Sequence, residues 1–433
     1  MIIHDLVVTP IAFRDPPLLN ADGVHEPLAL RTIVELVVDG GVVGLGEGQG
    51  GAVVAAHVAS VRDAIVGLRV TDLHGIERAV DAALGGDAGP LSRQERRVVF
   101  SMIDVAAHDA WGRITGLPVS ELLGGRVRDR VLYSAYLFYK WAAHPGAEPD
   151  AFGEALDPAG IVTQARHLID RYGFGSIKLK AGVFPPDQEV AAIRALAEAF
   201  PTHPLRIDPN GAWTHATAVR VAAELDGVLE YLEDPVLGID GMSRVAAGVP
   251  QPLATNMCVV TFEQIQEAFA KDAVQIVLSD HHYWGGLAHT RELAAICRTF
   301  GVGLSMHSNS HLGISLAAMT HVAAASPELA YACDTHYPWN RGDDVIVPGA
   351  LEIVGGSVAV PTGPGLGVEL DRDALDRQHL VYVESGRTAR DDSGYMQTIQ
   401  PAYPRDDEVA AARRGDTGAH GLRVLVDVER VEL

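Results

Sequence analysis

At 433 residues, with 48% hydrophobic and 21% charged side chains, the chain can bury a sizeable core, and no stretch approaches the roughly 18 apolar residues of a membrane span. Its 34 basic against 56 acidic residues give a net charge of −22, which argues against nucleic acid or an anionic membrane as partner. A soluble protein of two or three domains is expected, although a barrel can occupy about 250 residues alone.

The first ten residues, MIIHDLVVTP, have no basic leader followed by an apolar block, so they read as a strand and a cytoplasmic location is expected. Apolar runs broken by Gly and Pro up to about residue 50 predict a small antiparallel sheet, with a turn at Asp39-Gly40-Gly41. Residues 16–25 form a loop too long for a tight turn. Helical spacing of apolar residues follows over 53–84 and 92–112, where Ile103, Ala106, Ala107 and Ala110 with Trp111 make one buried face. A short helix from Val119 stops at Gly124-Gly125, and this α+β domain ends near residue 128.

Strand and helix then alternate. Strands are predicted at 131–138, 177–180, 205–208, 229–233, 252–256, 274–279, 303–307 and 329–333. Helices are predicted at 159–172, 187–200, 215–225, 241–247, 262–269, 287–300 and 312–325. Eight strands interleaved with helices imply a parallel sheet closed into a barrel, an α/β fold. Beyond Asp334 the pattern dissolves into a strand or hairpin at 351–360, an irregular polar segment at 381–396, a mobile linker at 405–421 and a terminal strand at 424–431. Cys258, Cys297 and Cys333 are widely spaced in apolar surroundings and read as core packing.

In a barrel, the C-terminal ends of the strands face the active-site mouth. Asp208, Glu233 and Asn256 end three consecutive predicted strands, about one strand–helix unit apart. Singly, each is as readily a helix-capping turn. Three hard oxygen donors in register suit Mg²⁺, with positions left for water or substrate. Lys178 and Lys180 share one face of the preceding strand. Mutual repulsion beside a dication is expected to depress the pKa of at least one of them, making it a usable base. Asp280 and His307 end two further strands, where the acid can orient the imidazole. A dication on a substrate carboxylate, with a base on either side, is machinery for removing the proton next to that carboxylate and stabilising the enediolate. Protonated imidazole can then expel a hydroxyl from the next carbon, a β-elimination of water.

Several segments carry a family resemblance: the lysine pair, DPNGAW from Asp208, EDP at Glu233, ATNM from Ala254, SDHHYWGG from Ser279, SMHSNSHLGIS from Ser305 and DTHYPW from Asp334. LLNADGVH from Leu18 and ARDD from Ala389 extend it over nearly the whole chain up to about residue 404. On these motifs the chain resembles the enolase superfamily and, within it, the glucarate dehydratases. The general pattern of Lys or His bases with Mg²⁺ is a known property of that superfamily.

The resemblance implies a (β/α)₇β modified TIM barrel (129–340) under a capping domain built from the N-terminal region (1–128) and a C-terminal segment (341–404). The tail at 405–433 has no counterpart and no assigned role. It implies Mg²⁺ on Asp208, Glu233 and Asn256, Lys180 as one base assisted by Lys178, and His307 oriented by Asp280 as the other. Asn20, His25, Tyr136, Asn210, Ser308, Asn309, His336 and Arg390 are implied as contacts to a diacid sugar, the cation and donors serving its distal carboxylate. Ser101 falls where the family often carries Thr.

The reading is dehydration of D-glucarate to 5-keto-4-deoxy-glucarate, with L-idarate accepted as the epimer. A dehydratase or epimerase for another aldarate is a close rival, since the barrel chemistry is shared and loops choose the sugar. A catalytically silent metal-binding paralogue is the rival of another class, and retention of both bases and all three ligands speaks against it. A homo-oligomer is the default expectation.

Overall fold

A computed structural model describes residues 1–404, so the linker and terminal strand expected at 405–433 lie outside the described residues. Strands Ala135–Phe138, Ile177–Lys180, Leu205–Asp208, Leu229–Glu233, Leu253–Thr255, Ile276–Ser279 and Gly303–Met306 form one parallel sheet, each neighbouring the next in chain order. Apart from the half-buried Glu230 and Gly303, every residue in them is buried, because side chains fill the interior while helices cover the outside.

The predicted eighth strand at 329–333 is not a continuous ladder. It closes the ring through isolated parallel bridges, Leu304 to Leu329 and Tyr133 to Cys333. The Ala332 carbonyl accepts instead from Ser305 Oγ (3.0 Å) and Arg206 Nη1 (2.7 Å), so side chains take a bond that a strand partner would have made. The single strand expected over 131–138 is likewise two. Arg130–Leu132 pairs antiparallel with Ser357–Ala359 below the barrel, and Ala135–Phe138 enters it.

Leu28–Val38 is the centre of a three-stranded antiparallel sheet between Ile3–Arg14 and Val42–Gln49. Helix Arg93–Thr115 packs on this sheet. It starts at a Ser92/Glu95 capping box, in which each side chain satisfies a backbone N–H that the first turn leaves free, and stops at Gly116 in the left-handed conformation (φ 74°). The segment after the barrel returns to this region. Its polar stretch, expected to be irregular, is helical at Arg372–Ser385 and Asp392–Ile399. The two helices are N-capped by Asp371 and Asp391, and each buries only two residues, which is why their apolar periodicity is faint. His379 Nδ1 meets the Pro10 carbonyl at 2.7 Å, and Ser393 Oγ donates to the Asp22 carbonyl at 2.7 Å. Loop 16–25 contains a small hairpin, Leu19–Asn20 with Gly23–Val24, and hangs over the barrel rim through Leu19 N to Tyr139 O (2.7 Å). Among the described residues, no helix is long and apolar enough to cross a membrane.

Gly44 marks the closest approach of the antiparallel sheet to helix Arg93–Thr115. A Cβ there would lie 2.0 Å from the Ala106 carbonyl oxygen and 2.7 Å from the Ala110 nitrogen, both backbone. Gly44→Ala is therefore expected to cost about 1–3 kcal/mol by overpacking, read as a lower urea midpoint. An unchanged midpoint would mean that this contact does not constrain the packing.

Candidate active site at the barrel mouth

The barrel's C-terminal rim gathers the side chains expected there. Lys180, Asp208 and Glu233 are the last residues of their strands, and Asn256, Asp280 and His307 follow directly after theirs. Since strand order follows chain order, Lys180 and His307 stand on the first and last of six adjacent strands, with the three oxygen donors between them. Asn210 (φ 55°) and Asp234 (φ 35°), one or two residues beyond a donor, are two of the three described non-glycine residues in the left-handed region. Backbone in that region is held there by its surroundings.

Lys178, fully buried, places its Nζ 2.6 Å from Glu233 Oε2, 2.7 Å from Asp334 Oδ2 and 3.4 Å from Asp208 Oδ2. It also lies 4.6 Å from the centre of the Tyr136 ring. Lys180 Nζ donates to Asp208 Oδ2 (2.7 Å) and Asn210 Oδ1 (2.9 Å). Burial alone would lower both amines. Asp334 and Glu233 around Lys178, and Asp208 beside Lys180, outweigh it and hold both above the usual lysine range. With the acids uncompensated, carboxylates rather than like charges dominate the local field, whereas the depression expected from the sequence is that of a lysine beside a dication.

The acids divide the load. Burial penalises the Asp208 carboxylate, but the two lysines hold it below the usual range. Burial and the Asp208 charge push Glu233 well above it, and burial with the same charge raises Asp234 to about 7. Asp234 is spent on structure, accepting from Thr255 Oγ1 (2.6 Å) and Asn256 N (2.8 Å), which presents Asn256. Asn256 Nδ2 donates to Glu233 Oε1 at 2.5 Å, which leaves its carbonyl oxygen as a third hard donor. Lys178 Nζ meets both oxygens of Glu233, Oε1 at 2.7 Å and Oε2 at 2.6 Å. Two buried carboxylates in mutual repulsion and an amide oxygen on the next strand, three hard oxygens at adjacent strand ends, are the donor chemistry that a hard dication satisfies. These residues fit Mg²⁺.

Opposite them, Asp280 joins two imidazoles. Its Oδ2 is 3.1 Å from His307 Nδ1, and its Oδ1 is 2.7 Å from His282 Nδ1 and accepts from His282 N (3.0 Å). Burial raises the Asp280 carboxyl, but His282 and His307 more than reverse that and keep it well below the usual range. An ionised Asp280 can take the Nδ1 proton of His307 and leave its Nε2 free. Asp280, His281 and His282 are also close enough together to hold a metal ion, but both oxygens of Asp280 are committed to the imidazoles.

Six of the nine expected substrate contacts fall into two groups. Tyr136, His336 and Ser308 line the wall beside Lys178. The Tyr136 and His336 rings are 4.8 Å apart, and Ser308 Oγ is 3.2 Å from His336 Nδ1. Burial first, then the neighbouring imidazoles and Lys180, hold His336 well below the usual histidine range. His25, Asn20 and Arg390 meet under loop 16–25. His25 Nδ1 lies 3.1 Å from Asp15 Oδ2, while Arg390 grips Asp392 through Nε (2.9 Å) and Nη2 (2.8 Å). Asn20 Nδ2 reaches the same Asp392 at 3.4 Å. Arg390 is 32% exposed along its side chain, and its Nη1 is engaged only at 3.4 Å by Asp15. Asn309 is held between Arg31 Nη1 (3.2 Å) and the Tyr283 hydroxyl (3.3 Å). Ser101 stands apart from both groups: fully buried in helix Arg93–Thr115, it donates its hydroxyl to the Val98 carbonyl at 2.7 Å.

Several charged partners of the site lie inside the family motifs: Asp334 in DTHYPW, His282 in SDHHYWGG, Asp392 in ARDD. Asp15 and Glu47 carried no signal. Arg31 carried one, a cation inside the apolar run LALRTIV, since a buried arginine needs partners.

Residues 6–124 match the family model "Mandelate racemase / muconate lactonizing enzyme, N-terminal domain", and residues 160–374 match "Enolase C-terminal domain-like". A probable glucarate dehydratase of Streptomyces coelicolor is 55% identical over 92% of this chain and 96% of its own length. Muconate cycloisomerase 1 of Rhodococcus opacus is 29% identical over 81% of this chain and 90% of its own. Among solved structures, an enolase of Mycobacterium smegmatis complexed with tartrate is 59% identical, with a TM-score of 0.91 over 93% of this chain and 97% of that one. One of Thermobispora bispora complexed with magnesium and formate is 57% identical, with a TM-score of 0.91 over 94% and 99%. With both family domains matched in order and the barrel and its rim in place, the chain belongs to the enolase superfamily.

Proposed function

We propose that this enzyme is a Mg²⁺-dependent acid-sugar dehydratase that converts D-glucarate to 5-keto-4-deoxy-glucarate and accepts L-idarate as the epimer. Kinship with a probable glucarate dehydratase and with cycloisomerases supports acid-sugar dehydration or a related activity. The narrower reading rests chiefly on one observation: an amine and an Asp-oriented imidazole stand at opposite ends of an arc whose middle is three oxygen donors.

Asp208, Glu233 and Asn256 would hold the magnesium ion, which supplies positive charge that makes a C–H bond next to a carboxylate easier to ionise. Taking up the charge of Asp208 and Glu233 would also remove the anions that keep Lys180 protonated. Lys178, clamped by Asp334, supplies a fixed positive charge beside Lys180. Lys180 Nζ or His307 Nε2, according to the configuration at that carbon, takes the proton. The electron pair left behind forms a C=C bond as hydroxide departs from the next carbon, and His307 protonates it to water, with the proton it has just taken or, where Lys180 is the base, with one it carries as imidazolium beforehand. The resulting enol tautomerises to the keto acid, so substrate equals product plus one water. Arg390 and His25 would bind the distal carboxylate, while Asn20, Asn210, Asn309, Ser308, Tyr136 and His336 would read the hydroxyls between. Ser101 would act only by supporting its helix. We propose a homo-oligomer acting on small diacids, with neither nucleic acid nor membrane as partner, in the cytoplasm.

Lys180→Ala and His307→Ala are each expected to lose about 10²–10⁴-fold in turnover while keeping a wild-type melting curve. Assay is by α-keto acid formation across a panel of aldarates. Full activity in either variant would remove the two-base assignment, and turnover of a different aldarate alone would move the specificity.

Adding Mg²⁺ to chelator-treated protein is expected to raise the melting temperature, since a ligand at 100 times its Kd stabilises by about 2.7 kcal/mol. Glu233→Gln should abolish the rise. Identical melting in chelator and in Mg²⁺ would eliminate the ligand set, whatever the activity.

A further inference from the structure

Arg31 lies on the central strand of the antiparallel sheet, Leu28–Val38, yet its guanidinium is buried against the barrel. Nε donates to Glu47 Oε1 at 3.0 Å, and Nη1 to Asn309 Oδ1 at 3.2 Å. Nη2 lies 3.1 Å from His282 Nε2 and 3.2 Å from Ser315 Oγ. Arginine carries donors only and does not deprotonate in proteins, so His282 Nε2 must accept. Ser315 Oγ, 2.9 Å from the same nitrogen, receives from Arg31 and donates there.

The guanidinium, which cannot accept, calls for one tautomer. With Nε2 bare, the single ring proton of a neutral His282 sits on Nδ1 and is given to Asp280 Oδ1 at 2.7 Å. Asp280 Oδ1, which also takes the His282 backbone N–H, is saturated, and Oδ2 is left for His307. The Asn309 amide is fixed by the same guanidinium: its oxygen faces Arg31, so only N–H donors are left to turn elsewhere. Glu47 anchors the arrangement, since its two oxygens also accept Leu312 N and Ser315 N (both 2.8 Å) at the start of barrel helix Gly313–Ala324.

We propose that Arg31 is a positioning residue for the reaction: through His282 it fixes the orientation of the Asp280–His307 pair, and directly it fixes the donor face of Asn309. Docking of the antiparallel sheet on the barrel is thereby built into the His307 half of the site and not into the Lys180 half. The inference rests on the reading of His307 as a base.

Two measurements test it on the full-length protein. The first needs no substrate: ¹⁵N spectra of histidine-labelled protein, with His282→Asn identifying the His282 resonances. Expected is a proton on Nδ1 and a bare Nε2, and the reverse tautomer or an imidazolium at neutral pH would overturn the proposal. The second compares solvent-deuterium incorporation into the two epimeric aldarates, one read by each base. His282→Leu is expected to lose about 10–100-fold in kcat on the His307 side with KM and Lys180-side exchange near wild type. His282→Asn, whose amide can replace the Nδ1 donor, should recover most of it. Arg31→Lys, which keeps a cation for Glu47, should lose kcat on the His307 side and raise KM through Asn309. Equal loss of deuterium exchange on both sides would reduce Arg31 and His282 to packing and overturn the proposal. An inactive wild type would end the proposed function instead, and the tautomer would still decide the role of Arg31.

Discussion

Charge balance in a space without water governs this molecule. Asp208, Glu233 and Asp334 are buried at the barrel mouth together with Lys178 and Lys180, and none of these could remain ionised alone. Each lysine is held charged by acids, and the acids repel one another, so Glu233 rises while Asp208 falls. Such a cluster is a poor source of stability, and replacement by apolar side chains would often be neutral or better. Its retention is intelligible as chemistry: an ion that takes over the carboxylates changes what the amines beside them can do.

The imidazole half of the rim obeys a different constraint. Asp280 is kept ionised by two histidines, one of which is locked in turn by Arg31 from the antiparallel sheet. Arg31 and Glu47 form a buried pair across the contact between sheet and barrel, with Glu47 also satisfying the free N–H groups that begin helix Gly313–Ala324. The sheet therefore completes a hydrogen-bond chain that the barrel cannot complete alone. At the far side, Asp15 and Asp392 hold His25, Asn20 and Arg390 in one cluster drawn from both ends of the described chain.

Where the reading of the sequence failed, the failures share a cause. The run at 329–333 has strand composition but lends the Ala332 carbonyl to Arg206 and Ser305, and the polar stretch at 381–396 is irregular only over 386–391, being helical on either side where two surface helices bury little. In each case the deciding partner is distant in the chain.

The sequence by itself determined the alternation of strand and helix, hence the barrel, and the placing of Lys180, Asp208, Glu233, Asn256, Asp280 and His307 at strand ends. Those follow from local periodicity and from the rule that parallel strands share one C-terminal rim. Only the tertiary structure decided which oxygen each amine meets, that Asp334 clamps Lys178, that Ser101 turns back to its own helix, and that Arg31 reaches His282 from another sheet. The physical reason is range: hydrogen bonds and ion pairs act over about 3–4 Å between atoms whose residues stand hundreds of positions apart, and no periodicity encodes them.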